Sequence, residues 1–244
     1  MDQVGLMVDR LNLAEHLRTT GFAFVQAASF DALLPAHVLA PESWDAFAAS
    51  WENMPLDNYM ADGGRYRRRR FAVFEGRPDQ PIKRAAHQPH YQARDYNALN
   101  GGVERWFAPI ADVVSQGACF QALLGLTRSL FEGVAGSLAW HVEAHQFRIE
   151  TGPEGAGLPT PEGMHRDGVD YVLVLMVRRS NIEQGTTTIH DLDGHSLGEF
   201  TLVQPRDAAL VDDRLVFHGV TPVVPVDPGL PAFRDVLVLT YRRI

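Results

Sequence analysis

The hydrophobic period of the chain changes near residue 138. Before that point apolar residues recur at helical spacing; after it they alternate or form short runs between turn residues. In residues 12–20, Leu13 and Leu17 lie one turn apart and Gly21 closes the segment. Phe22-Ala23-Phe24-Val25 then reads as a strand and residues 31–35 as a short helical turn. Residues 42–52, behind Pro41, predict a helix whose Trp44, Phe47 and Trp51 share one face, a pattern of core packing. Residues 103–116 and 120–134 predict two more helices, ended by Gly117 and Gly136, that buttress the outside of a sheet.

The second half reads differently. Residues 139–150 form one long extended segment, and a loop rich in glycine and proline follows over residues 151–163. The unbroken apolar run 169–177 predicts a strand, 180–185 a turn and the β-branched stretch 186–190 another strand. A hairpin turn at 191–194, strands at 196–203, 207–211 and 215–217, and a final strand at 235–241 complete the series. Short strands at this spacing predict a β sandwich or barrel. The organisation expected is a single domain over residues 1–244. Residues 1–137 form a helix-rich supporting part and residues 138–244 the strand core.

Composition narrows the function. With 45% hydrophobic residues the 244-residue chain can bury a large core, and a formal net charge of -8 disfavours nucleic-acid binding through a broad basic surface. The single Cys119 excludes an intrachain disulfide framework and a cysteine-rich zinc site. No run is apolar for long enough to cross a membrane as a helix. Residues 1–13 carry acidic side chains and lack a long apolar core, so no secretory leader is expected and the location expected is cytoplasmic.

The chemistry concentrates in Met-His-Arg-Asp-Gly-Val-Asp-Tyr (164–171). On a strand end, His165 and Asp167 would project to the same side. His218 follows a short apolar strand, and Arg234 opens the last one. Two histidines and a carboxylate form the facial ligand set that holds non-haem iron with open positions. A buried arginine can grip a carboxylate through its planar fork.

Other clusters compete. His141, Glu143 and His145 share one strand face, but neighbours on such a face stand about 7 Å apart, too far for all three to meet one ion. His190 to His195 reads as a solvated hairpin. His87 and His90 fit packing or surface positions better than a pocket. The one dense basic run, Arg65 to Arg70 with Tyr66, reads equally as a solvated face or as a strand whose alternate arginines face opposite sides, one set toward an acidic ligand and the other toward water.

The motifs Pro161 to Tyr171, Asn-Ile-Glu-Gln-Gly-Thr (181–186), His-Gly-Val-Thr-Pro (218–222) and Arg-Asp-Val-Leu-Val (234–238) resemble the Fe(II)/2-oxoglutarate dioxygenases that hydroxylate free L-amino acids. That group includes the L-isoleucine 4-hydroxylase type and the BsmA-like proteins. The resemblance implies a mainly β fold: a double-stranded β-helix, a cupin-like jelly roll, with N-terminal helices packed on one sheet. It implies Fe(II), 2-oxoglutarate and O2, with ascorbate as reductant, and a small amino acid hydroxylated while 2-oxoglutarate is decarboxylated to succinate. Carried over, His165, Asp167 and His218 are the iron ligands, Arg234 holds the far carboxylate of 2-oxoglutarate, and Thr188 and Thr240 add hydroxyl contacts. Alternation along residues 146–149 makes Arg148 and Gln146 the first substrate contacts expected, with Arg67 and Arg69 behind them. Two other readings use the same residues: a catalytically silent cupin-like barrel with a biofilm or stress role, and a zinc hydrolase.

Overall fold

The computed structural model describes residues 9–153 and 155–244. The expectation about a leader concerns residues of which the first eight lie outside that range. Helices are α1 (Arg10–Thr20), α2 (Ala27–Asp31), α3 (Pro41–Ala49), α4 (Asp112–Ser115) and α5 (Ala118–Ala135). Strands are β1 (Phe22–Val25), β2 (Arg67–Gly76), β3 (Lys83–Arg84), β4 (Trp140–Thr151), β5 (Tyr171–Ser180), β6 (Ile182–Gln184), β7 (Thr186–His190), β8 (Ser196–Thr201), β9 (Ala208–Asp212), β10 (Phe217–Val220), β11 (Val223–Pro225) and β12 (Ala232–Arg243).

A seven-stranded antiparallel sheet runs β1-β9-β5-β12-β4-β2-β3, accompanied by a three-stranded sheet β10-β7-β8 and a ribbon β11-β6. This is the mainly β, jelly-roll architecture expected, with the helices on one face of the large sheet. Helix α1 starts where the Asp9 carboxylate accepts from the Asn12 N–H at 2.8 Å and stops at Gly21, whose φ of 81° suits a residue without a Cβ. Helix α5 buries Phe120, Leu123, Leu124, Thr127, Leu130 and Phe131, spaced three and four apart. That stripe meets Trp140, Tyr171 and Tyr241; Phe131 stacks on Tyr171 at 4.9 Å and Thr127 shares a hydrogen bond of 2.7 Å with Tyr241.

Pleating divides every central strand in two. Val142, Ala144, Leu173, Leu175, Leu237 and Leu239 face the helices. Their alternates, among them Val172, Val174, Val236 and Val238, line a cavity on the other side. Residues 171–177 of strand β5 are apolar without interruption because both of its faces are covered there.

Residues 103–116 depart from the helix expected there; only α4 is helical. Pro109 would break a helix interior, and the segment instead follows β2. The Phe71 N–H donates to the Ala108 carbonyl at 2.9 Å, the Ile110 N–H donates back to Phe71 at 3.0 Å, and Phe107 packs on Phe71. The apolar spacing that reads as a helix serves this edge packing. The 180–185 turn likewise contains a strand, β6, which pairs with β11.

Arg148 and Gln146 point away from the cavity, opposite to the sequence expectation. Arg148 grips Asp235 with two bonds of 2.7 and 2.8 Å and reaches Glu52 at 3.3 Å, while Arg178 completes the network. Gln146 donates to the Ser50 hydroxyl at 2.8 Å on the same helical side. Alternation identified their shared face but not which side of the sheet it was. Replacing Arg148 by alanine leaves the fully buried Asp235 with Arg178 alone. The expected result is a loss of about 3 kcal/mol in urea unfolding with 2-oxoglutarate affinity unchanged in the folded protein.

Candidate active site

His165, Asp167 and His218 converge. Donor atoms from all three lie within 4.8 Å of one another, and the two rings are 4.5 Å apart. The Asp167 carboxylate sits 3.5 Å from Nε2 of each histidine. A backbone bridge between His165 and His218, with N–H···O bonds of 2.9 Å in both directions, brings the remote residues together.

The pair His165 and Asp167 is not on the end of a regular strand as expected. Strand β5 begins only at Tyr171, and Gly168 turns the chain with φ 79°. A Cβ at residue 168 would come within 2.6 Å of the Tyr96 ring. The turn is pinned by Asp213, whose carboxylate accepts from the backbone N–H of Asp167, Gly168 and Val169 at 2.8, 2.8 and 3.1 Å. From the other side, the Gln92 amide donates to the Asp167 carbonyl at 3.1 Å. Sequence reading passed over both residues. The Asp-Asp pair at 212–213 was legible only as a turn, and nothing local marks Gln92.

The charges of the cluster are interdependent. Burial opposes a charge on His165, but the hydrogen bond and charge of Asp167, together with Glu162, push it up to about 9. Burial and the His165 charge push His218 down to about 4. Burial also disfavours the Asp167 carboxylate, yet both histidines hold it well below the usual range. Burial and the Asp167 charge push Asp213 up to about 7 against its three N–H donors. Two imidazoles and an anionic carboxylate suit a divalent transition metal, and the buried Nδ1 of His218 has no hydrogen-bond partner among the described residues, with Asp213 3.9 Å away.

The cavity beside them has a volume of about 490 Å³. Arg234 lines it and is 2% exposed; burial and the nearby Arg179 push its guanidinium down to about 10, still charged at neutral pH, and its Nε has no protein partner. Thr240, Arg67 and Arg69 also line it. Thr188 does not: it pairs with Gly219, while its neighbour Ile189 pairs with His218 and is buried beneath it. The hydroxyl of Thr188 therefore faces the other side of the small sheet.

The competing clusters resolve differently. Asp191, Asp193 and His195 form the solvated hairpin expected, with Asp191 accepting from two backbone N–H groups. His141, Glu143 and His145 share one face of a strand, as expected, but it is the cavity face that was expected for Gln146 and Arg148, and Glu143 lies 3.5 Å from His141 and 3.6 Å from His145. His90 joins them from a loop, with Nδ1 2.7 Å from Glu143, so His90 belongs to the pocket after all. Arg69 donates to Nδ1 of His145 at 2.8 Å; an arginine only donates, so the neutral ring carries its proton on Nε2. That tautomer makes the second cluster a hydrogen-bonded chain rather than a metal cage.

Two expectations follow. At neutral pH free His165 is protonated and a ligating imidazole is not, so metal uptake must release about one proton. Affinity for Fe(II) should rise about tenfold per pH unit between 6 and 8, read by anaerobic calorimetry in buffers of different ionisation enthalpy. His218, already neutral there, contributes nothing to the slope. Asp213→Asn places an NH2 group against backbone donors and should weaken Fe(II) binding about tenfold to a hundredfold while the circular dichroism spectrum is retained.

The sequence pattern of the 2OG-Fe dioxygenase family matches residues 48–240. The chain is 22% identical over 240 residues to 3(1)-hydroxy-L-isoleucine 4-dioxygenase of Pantoea ananatis, covering 96% of each protein. The crystal structure of a bsmA homolog from Methylobium petroleophilum superposes with TM-score 0.87 at 38% identity, covering 100% of this chain and 96% of that one. IDO from Bacillus thuringiensis shares the fold with TM-score 0.79 at 17% identity, over 97% of this chain and 100% of that one. With a matching pattern across most of its length, the chain belongs to the 2OG-Fe dioxygenase family, oxygenases that use Fe(II), 2-oxoglutarate and O2.

Proposed function

We propose that the protein hydroxylates an unactivated C–H bond of a small free L-amino acid or close derivative, converting 2-oxoglutarate to succinate and carbon dioxide. The observation that carries this reading is the convergence of His165, Asp167 and His218 in a cavity that also holds Arg234. In this reading His165, Asp167 and His218 hold the iron. Bound iron with 2-oxoglutarate and O2 supplies oxidising power that no side chain has.

The protein's own contribution is placement and exclusion of water. Arg234 takes the far carboxylate of 2-oxoglutarate, with the Thr240 hydroxyl on the same face of β12. Desolvation makes a lone guanidinium costly, and a carboxylate relieves that cost. Val172, Val174, Val236 and Val238 form the dry wall between. Arg69 on the cavity wall is available to an acidic group of the substrate, whereas Arg67 is paired with Asp57. The Pantoea relative, whose name specifies a hydroxylated L-isoleucine, supports a substrate of this size and class.

The test is incubation with Fe(II), 2-oxoglutarate, ascorbate and the protein L-amino acids, isoleucine and leucine included, under air. Succinate formation should accompany a mass gain of one oxygen in one of them. Asp167→Ala should abolish both, and Arg234→Ala should raise the 2-oxoglutarate requirement about a hundredfold without a matching change for iron. Iron and 2-oxoglutarate binding with no product from any amino acid would instead describe a binding barrel.

A further inference from the structure

Beyond the iron and cosubstrate residues, the cavity wall carries charges that the fold leaves separated. Arg67, Arg69 and Arg105 are 5%, 4% and 2% exposed and all line the cavity. Arg67 is matched by the buried Asp57 at 2.8 Å. Among the described residues no carboxylate lies within ion-pair distance of Arg69 or Arg105, and the Nε of each is buried without a partner. Arg69 lies instead between two aromatic faces, 3.9 Å from the centre of Phe107 and 4.6 Å from that of Phe147. Arg105 has a long contact of 3.5 Å with the Gln92 amide oxygen and lies 5.9 Å from the centre of the Phe107 ring. Burial and the charge of the nearby Arg67 press on both, yet a guanidinium does not shed its proton at any relevant pH.

On the same wall, Glu143 is an anion without a cation. Burial would raise it, but hydrogen bonds from His141, His145 and His90 hold it well below the usual carboxylate range. His145 stands between Arg69 and Glu143, accepting from the one at 2.8 Å and facing the other at 3.6 Å. A neutral ring thus keeps the opposite charges from closing into an ion pair. Glu162 also lines the cavity, but it lies 3.5 Å from the protonated His165 and belongs with the histidine–carboxylate cluster. Arg69 and Arg105 on one side and Glu143 on the other, held apart, match a ligand that itself carries separated charges of both signs.

We propose that Arg105 with Arg69 binds the carboxylate of the substrate and that Glu143, positioned by His90 and His145, binds its ammonium group. This rests on the amino-acid reading given above and assigns the residues that select for a zwitterion. Glu143 and Arg105 set specificity; His90 and His145 are positioning residues that keep the carboxylate aimed and the two charges apart.

The experiment is anaerobic titration of the Fe(II)–2-oxoglutarate complex, followed by its charge-transfer absorption. The twenty protein L-amino acids are tested first, then the analogue of the best binder lacking the amino group and the analogue lacking the carboxylate. In Glu143→Gln, affinity for the amino acid should fall about thirtyfold or more, while affinity for the analogue without an amino group stays at the wild-type value. Arg105→Met should show the mirror pattern, sparing the amine that lacks a carboxylate. Formation of the 2-oxoglutarate complex itself, unchanged in both variants, reports an intact fold and iron site. If Glu143→Gln does not form that complex, Arg105→Met carries the same comparison. Unchanged amino-acid affinity, or equal losses for both analogues, overturns the assignment while the amino-acid reading stands. A wild-type complex that responds to no amino acid overturns that reading and this assignment with it.

Discussion

The pairing of β4 with β12 is the constraint on which the site depends. Twelve residues of each strand are matched one to one, so every side chain on either is committed to the helices or to the cavity. Arg234, Val236, Val238 and Thr240 fall on one side with Glu143, His145, Phe147 and Ile149. Asp235, Arg148 and Gln146 fall on the other. A slip of β12 by one residue would turn Asp235 into the cavity, away from Arg148, and turn Arg234 toward α3 and α5. The network of Glu52, Arg148, Asp235 and Arg178 resists that slip, because its charges are satisfied in only one register.

The metal-competent cluster hangs on this frame through a different device. Its three donors come from a turn and from the small sheet, and backbone hydrogen bonds rather than strand pleating bring them together. The His165–His218 bridge sets the two rings side by side. Asp213 ties down the three successive amides of the turn, which fixes where the Asp167 side chain points. Glycine at 168 is required twice, for its positive φ and for the Tyr96 ring against it. Rigid support of this kind keeps two imidazoles and a buried carboxylate at short range.

The cavity is electrostatically divided. One part holds the histidine–carboxylate cluster and Arg234, together suited to a divalent metal and a dicarboxylate. The other holds Arg69, Arg105 and Glu143, with aromatic rings and neutral imidazoles as spacers. In a medium of low dielectric, charges of opposite sign normally collapse into pairs. Their separation here is maintained by covalent placement on β2, β4 and the 86–106 segment, and a ligand that supplies both charges is the means of satisfying them.

By itself the sequence determined the fold class, most of the strands, and the His165, Asp167, His218 and Arg234 set, because these rest on local period, turn residues and short motifs. It also determined that residues 141, 143 and 145 share a face, and so do 146 and 148. Which face looks inward was decided only by the tertiary structure, since alternation is symmetric until a neighbouring layer covers one side. Tertiary packing likewise decided that residues 103–111 run beside β2 instead of coiling, and that Thr188 turns outward. It also placed His90 and Arg105 around the same cavity and Asp213 behind the turn that carries Asp167. No local pattern encodes such meetings; they follow from strand register and loop closure, which depend on the whole core at once.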